Sequence, residues 1–279
     1  MPIKTKILSF ITFISVAFFL SIGFAGIIYA ESGKLTIKGS TTVLPIAQLT
    51  AEVFMEQNPD IDISVQGGGS GVGITSLIEG TTDIADSSRE IKDKEIKRAK
   101  DAGIEPFENI VAKDGIAVVV HPSNIKNYLT TEQIKAIYTG RISNWSELGG
   151  QDTKIVVISR DTSSGTYEAF EKLALDKEKV RPDALITASN QAVNLTVAQT
   201  PGAIGYLGLG YLTKKVKPVS VDGIKCSKQT VISGQYPLSR PLYMYTNSRP
   251  SGIVKQYIDY VLGPEGQKLV EEQGFVGIR

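Results

Sequence analysis

The sequence predicts an α/β protein with parallel strands. Three observations carry that expectation: short apolar runs alternate with amphipathic stretches from Lys34 onward, small hydroxyl residues and glycines recur where a strand gives way to a helix, and no internal repeat or low-complexity tract interrupts the pattern. The chain has 279 residues, of which 42% are hydrophobic, enough for one large core or two modest ones. A formal net charge of +1 and 21% charged residues fit a soluble globular chain and give no basic surface for nucleic acid.

The elements follow in order. Residues 35–38 read as a strand, 42–57 as a helix with Pro45 in its first turn, 61–66 as a strand and 70–79 as a helix. Residues 83–86 end a strand, 92–102 form a charged helix, and 110–121 are a long β-rich run. A threonine-capped helix with Glu132 in its first turn is expected over 130–138, then a strand over 154–159 and a helix over 164–175. A helix over 193–199, strands over 203–207 and 243–245, and helices over 253–262 and 267–273 complete the pattern. No Gly/Pro-rich linker divides the chain, so two lobes would have to be joined through strands, with hinges near Gly115 and near residues 236–241.

The first thirty residues stand apart. Lys4 and Lys6 precede an uncharged apolar stretch over 7–30, the pattern of an export signal, long enough to span a bilayer as a helix. Cleavage after Ala25 or after Ala30 is expected, against retention as an N-terminal anchor. The segment has no cysteine for lipid attachment. Cys226 is the chain's one cysteine, which rules out an intramolecular disulfide and reads as a small half-buried residue.

Three strand-to-helix junctions share one chemistry: Gly39-Ser40-Thr41-Thr42, Gly67-Gly68-Gly69-Ser70-Gly71 and Asp161-Thr162-Ser163-Ser164-Gly165-Thr166. A helix N-terminus exposes unpaired N–H groups and about half a positive charge; glycine admits an anion to the backbone and Ser/Thr add donors. Any one junction reads as ordinary capping, but three point to a convergent anion site at the carboxyl ends of the strands. Ser87 and Ser88 form a fourth donor cluster. Arg160, just ahead of the third junction, suits either a bidentate contact to an oxyanion or a structural pair with Asp161 or another carboxylate.

Other chemistries lack their residues. The glycine run 67–73 has neither the Lys-Ser/Thr ending of a P-loop nor G-x-G-x-x-G spacing, and no Gly-x-Ser-x-Gly elbow occurs. The single histidine, His121, precedes Pro122 and reads as a strand-end residue. No metal-ligand spacing is present, so no cofactor, metal or catalytic residue is expected.

Taken together, the chain after residue 34 resembles the periplasmic phosphate-binding proteins of ABC phosphate importers, within the type II substrate-binding proteins. The resemblance rests on Gly39-Ser-Thr-Thr-Val43, Gly67-Gly-Gly-Ser-Gly71, Asp83-Ile-Ala-Asp-Ser-Ser-Arg89, Trp145-Ser-Glu-Leu-Gly149, Arg160-Asp-Thr-Ser-Ser-Gly-Thr166, Gly202-Ala-Ile-Gly-Tyr206 and Leu262-Gly-Pro-Glu-Gly-Gln267, in that order and spacing. It implies a two-lobed fold, each lobe a mostly parallel sheet flanked by helices, with a two-strand hinge. One lobe would comprise 31–115 and 237–279, the other 116–236. It further implies phosphate contacts from Thr41 and Thr42 (backbone N–H and hydroxyl), Ser70 and Ser88 on one side, and from Arg160, Ser164, Gly165 and Thr166 on the other. An exported, monomeric, non-enzymatic protein is implied, handing inorganic phosphate to the membrane-embedded permease of an ABC transporter. Where many members of that family have an aspartate, this chain has Ser88, which carries no charge to repel sulfate. Another tetrahedral oxyanion such as sulfate, molybdate or tungstate is therefore the alternative ligand, and a membrane-anchored phosphate sensor the alternative role.

Overall fold

The computed structural model describes residues 33–278, so the expected export segment lies outside the described residues. The elements run β1 (Gly33–Gly39), α1 (Leu44–Gln57), β2 (Ile61–Gly67), α2 (Ser70–Ile78), β3 (Ile84–Ser87), α3 (Asp93–Asp101) and β4 (Pro106–Val120). Next come β5 (Tyr128–Leu129), α4 (Thr131–Tyr138), β6 (Val156–Arg160), α5 (Gly165–Ala174), β7 (Leu185–Thr187), α6 (Asn190–Gln199) and β8 (Ala203–Gly208). The chain ends with β9 (Lys217–Pro218), β10 (Ser220–Val221), α7 (Lys228–Ile232), β11 (Ser239–Asn247), α8 (Gly252–Leu262) and α9 (Pro264–Glu272).

One nine-stranded sheet runs β2-β1-β3-β11-β4-β8-β6-β7, with β9 beside β4. Its two wings are parallel: β1 pairs with β2 and β3, and β6 pairs with β7 and β8. The two long central strands are antiparallel to their neighbours, β11 to β3 and β4, and β4 to β8. β4 pairs with β11 up to Gly115, then with β8 from Ile116 onward, so one strand serves both wings.

The apolar core is correspondingly divided. One cluster gathers Leu35, Ile37, Ile46, Phe54, Ile84, Val111, Leu242, Met244, Tyr257 and Phe275; the other gathers residues 116–120 with Tyr138, Trp145, Phe170, Tyr206, Tyr236 and Leu238. The backbone leaves the first cluster in β4 between Ala112 and Ile116 and returns in β11 between Leu238 and Leu242. We call the parts around these clusters the first and second halves.

Helix faces follow from spacing. In α1 the buried residues Ile46, Ala47, Thr50, Ala51 and Phe54 recur every three to four positions and pack one stripe against β1 and β2. Residues 116–120 of β4 are all fully buried, as for a strand covered on both faces, which is why the run reads as unbroken hydrophobicity.

Two boundaries differ from expectation in a way that matters. α1 begins at Leu44, not Thr42, because the Ser40 Oγ accepts from the N–H groups of Thr42 (3.1 Å) and Val43 (3.4 Å) and folds these residues into a turn. α6 begins at Asn190, three residues early, because the Ser189 hydroxyl caps it by accepting from Ala192 N–H.

Candidate anion-binding site

The parallel strands deliver their carboxyl ends to one cleft between the halves. β1 delivers Thr41 and Thr42; the turn after β2 delivers Ser70 at the start of α2; β3 delivers Ser88; β6 delivers Arg160, with Ser164, Gly165 and Thr166 at the start of α5. All of the residues expected at the site are buried, Thr41 being the most exposed at 8%.

They meet across the cleft. The Thr42 and Thr166 hydroxyls lie 2.8 Å apart, and Arg160 Nη2 donates to Thr41 Oγ1 at 3.3 Å. Ser88 N–H donates to Ser70 Oγ at 3.0 Å, and the two serine hydroxyls are 3.4 Å apart. Gly71 N–H donates to Ser163 O at 2.9 Å and the Ser163 hydroxyl oxygen lies 3.1 Å from Gly68 O, joining the second junction to the third. Gly69 has φ 98°, and a Cβ on it would stand 2.6 Å from Ser163 Oγ, so glycine is required for both its conformation and the approach.

The junction hydroxyls are held differently. Ser164 caps α5 by accepting from Tyr167 N–H, whereas Ser70 makes no cap and faces Ser88 instead. The Thr42 N–H, expected to face the anion, is taken by Ser40 Oγ, leaving Thr42 its hydroxyl for the cleft.

Arg160 is 2% exposed. Its Nε donates to Thr187 O (3.1 Å) and its Nη2 to Ala188 O (3.0 Å), while its backbone N–H donates to the Tyr206 hydroxyl at 3.2 Å. Tyr206 stacks on Phe170 of α5 at 4.0 Å between centroids, so one aromatic pair ties the end of β6 to the helix that carries Thr166. Asp161 is 3.9 Å away and instead accepts from Ser163 through both N–H and hydroxyl. Nη1 of Arg160 is buried and has no protein partner. Burial lowers the Arg160 pKa, but a guanidinium stays charged, so an unpaired buried donor with a full positive charge remains at the cleft.

Three further residues were missed in the sequence. Arg240 of β11 and Asp114 of β4 form a buried ion pair at 2.8 Å, and Arg240 also donates to Ser88 O (3.0 Å), Thr166 Oγ1 (3.0 Å) and Thr42 Oγ1 (3.4 Å). Asn190 donates to the Thr41 and Thr42 hydroxyls at 3.2 and 3.0 Å. Burial raises the Asp114 pKa, countered by the charge and hydrogen bonds of Arg240 and by the N–H groups of Leu209 and Gly115. Because Asp114 neutralises Arg240, the net charge of this inner cluster is that of Arg160 alone. Arg240 lies within, and Asp114 beside, segments read only as hinges, and Asn190 follows an ordinary serine cap, so no local pattern marked them.

Outside this ring, Glu168 of α5 pairs with Arg89 at 2.8 Å and Lys92 at 2.5 Å from the first half. The Arg89 N–H is poorly aligned for a hydrogen bond, so the first contact is an ion pair by distance alone. Arg89 is also held bidentately by Glu95 at 2.8 Å through each nitrogen. Asp86, which could have supplied an acceptor, shares a face of β3 with Ile84 and sits opposite Met244 of β11, in the first core. Among the described residues no group of three or more His, Cys, Asp or Glu is arranged to hold a metal.

The profile of the PBP superfamily domain matches residues 29–265. The phosphate-binding protein PstS of Bacillus subtilis is 39% identical over 249 residues, covering 88% of this chain and 81% of its own. The chain belongs to the PBP superfamily and, within it, to the PstS family. PstS of Borreliella burgdorferi is 34% identical over 88% of this chain and 90% of its own. Among solved structures, a phosphate ABC transporter substrate-binding protein of Clostridium perfringens, with bound phosphate, superposes with a TM-score of 0.83 at 35% identity, over 88% of this chain and all (100%) of that one. An ABC-type phosphate transport receptor of Vibrio cholerae gives a TM-score of 0.73 at 33% identity, over 87% and 99% of the two chains. The two-lobed α/β architecture expected from the sequence is that of these solved structures.

Proposed function

We propose that this protein captures inorganic phosphate in the cleft and hands it to the permease of an ABC importer. The observation that carries the reading is the buried, unpaired Nη1 of Arg160, whose Nη2 reaches the Thr41 hydroxyl, in a chain whose Thr42, Ser70, Ser88, Ser164 and Thr166 hydroxyls are buried as well. A tetrahedral oxyanion supplies acceptors in several directions at once and the negative charge that Arg160 lacks. The N-termini of α2 and α5 add partial positive charge from opposite sides.

Capture proceeds by closure of two lobes, 31–115 with 237–279 against 116–236, bending where β4 and β11 pass between the two cores. The anion first meets Thr41, Thr42, Ser70 and Ser88; Arg160 and the Ser164–Gly165–Thr166 turn then close on it, and the ion pairs of Glu168 form around the rim. Charge-assisted hydrogen bonds of about 1.5–3 kcal/mol each, less desolvation and ordering, leave affinity in the micromolar range or tighter. No bond in the ligand is made or broken; the protein acts as a carrier and not as an enzyme. It is exported by residues 1–30, acting as a cleaved signal or a retained anchor, and works as a monomer.

Sulfate, molybdate or tungstate is the competing ligand reading. It is favoured by one observation: Asp114, the buried carboxylate of the inner cluster, is occupied by Arg240, and the Ser88 position carries no charge to exclude them. A thermal-shift series decides between them. Phosphate is expected to raise the melting temperature at the lowest concentration of the four anions; a larger shift with sulfate, molybdate or tungstate would transfer the assignment to that anion.

A further inference from the structure

Beside β4 and β11, a third segment passes between the two cores. Gly274, left-handed at φ 83°, turns the chain out of α9. Phe275 then lies in the first core and Val276 in the second, at 0% and 2% exposure. Consecutive side chains of an extended segment point to opposite sides, so one step carries the chain from one core to the other.

The segment crosses where β4 itself crosses. Val276 N–H donates to Lys113 O at 3.1 Å and Lys113 N–H donates to Val276 O at 2.8 Å. On the other edge of β4, Lys113 stands opposite Pro241 of β11. Three segments therefore lie side by side at the crossing, and without the third the Lys113 backbone would lose both of these bonds. Gln267 of α9 fastens the far end: its Oε1 accepts from Ile278 N–H at 2.8 Å, and its Nε2 donates to Val111 O of β4 at 3.0 Å.

The same segment backs a turn of the second half, Leu209–Tyr211, which follows β8. A Cβ on Gly210 would collide with the Phe275 ring and with Gln273 O, so only glycine admits this approach. Leu209 N–H donates to Asp114 Oδ1 at 2.9 Å, and the Tyr211 hydroxyl donates to Thr41 O at 2.6 Å. The Tyr211 ring packs against both cores. A second tie lies alongside, where Lys228 Nζ of α7 donates to Glu271 O at the end of α9, at 2.6 Å.

We infer that Phe275 and Val276 are positioning residues: the segment after α9 is a strap across the hinge that holds the Leu209–Tyr211 turn against the first half, so that Tyr211 fixes the Thr41 junction in its anion-binding geometry. The inference rests on the phosphate reading and deepens it. The strap supplies no atom to the anion. It acts on the fraction of molecules whose halves meet in register, and apparent affinity falls with that fraction.

The test is calorimetric titration of inorganic phosphate into the wild type, Val276→Ala, Tyr211→Phe and their double variant, with Val219→Ala as the control. Val219 is buried in the same second core and bonds to Val118, beyond the crossing. Both valine truncations should lower the melting temperature by several degrees. Phosphate affinity should weaken about fivefold in Val276→Ala and stay within about twofold of wild type in Val219→Ala. Tyr211→Phe should weaken it about as much as Val276→Ala, and the double variant little further, because both changes release one turn. Equal affinity in the two valine variants would mean that Val276 serves its core alone, and overturns the inference. Losses that add in full in the double variant overturn it too, since the strap would then not act through Tyr211. A wild type that binds no phosphate is a different result, which removes the phosphate reading and this inference with it.

Discussion

A Cβ on Gly165 would stand 2.8 Å from the hydroxyl oxygen of Ser88 and closer still to that of Ser70. Gly165 begins α5 in the second half, while both serines belong to the first, so this contact exists only when the halves are together. Gly165→Ala should therefore hold the cleft ajar with little harm to either core. Phosphate affinity is expected to drop at least tenfold, with the unliganded melting temperature within about 2 °C of wild type, a shift typical of changes that spare the core. Unchanged affinity would mean the anion does not need the halves this close.

Glu168 closes the rim of the same contact through Arg89 and Lys92. Glu168→Gln keeps the shape and removes the charge, while Arg89 keeps its pair with Glu95. Release of phosphate, followed by stopped-flow, should quicken by roughly threefold to tenfold, the effect of one partly buried charge-assisted contact. The association rate is expected to change less, since in the proposed closure the pairs form after the anion has entered. An unaltered release rate would place these ion pairs outside the closing step.

Ser88 Oγ lies 3.4 Å from Ser70 Oγ and carries no charge. Ser88→Asp adds a carboxylate where a proton-bearing anion gains a partner and a proton-free one is repelled. Competition titration should show discrimination of phosphate over sulfate rising by an order of magnitude or more, mainly through loss of sulfate binding. An unchanged ratio would take Ser88 out of the selectivity argument.

Asp86 is buried at 1% exposure, and its Oδ1 has no partner. Burial pushes its pKa well above 3.8, so the folded state holds a proton that the unfolded chain gives up. Stability from this group is complete below the unfolded pKa, near 3.8, and is lost as pH climbs toward the folded value. Asp86→Asn should therefore raise the melting temperature by several degrees at neutral pH, with the gain shrinking toward zero near pH 4. An equal gain at both pH values would argue that Asp86 is not protonated in the fold.

Much of this was legible in the sequence because it is local. Glycine followed by hydroxyls at the end of an apolar run marks a strand-to-helix junction, and Thr41, Thr42, Ser70, Ser88, Arg160, Ser164, Gly165 and Thr166 all come to one cleft. The long strand β4 was legible as unbroken hydrophobicity over 116–120. What stayed hidden depends on contacts distant in the chain. Asn190 reaches Thr41 across 149 positions and Arg240 reaches Asp114 across 126, and neither sits in a pattern that distinguishes a ligand cluster from a surface loop. The short strands β5, β7, β9 and β10 were also missed, because two or three residues are too few for any period to show.

Arg160 supplies the uncompensated charge of the cleft, so the most direct test is calorimetric titration of inorganic phosphate into the wild type and into Arg160→Ala. One phosphate per chain is expected, at micromolar affinity or tighter, weakening by a factor of ten or more in the variant. Absence of binding heat in the wild type, or equal affinity in the two proteins, would contradict a guanidinium-centred anion cleft.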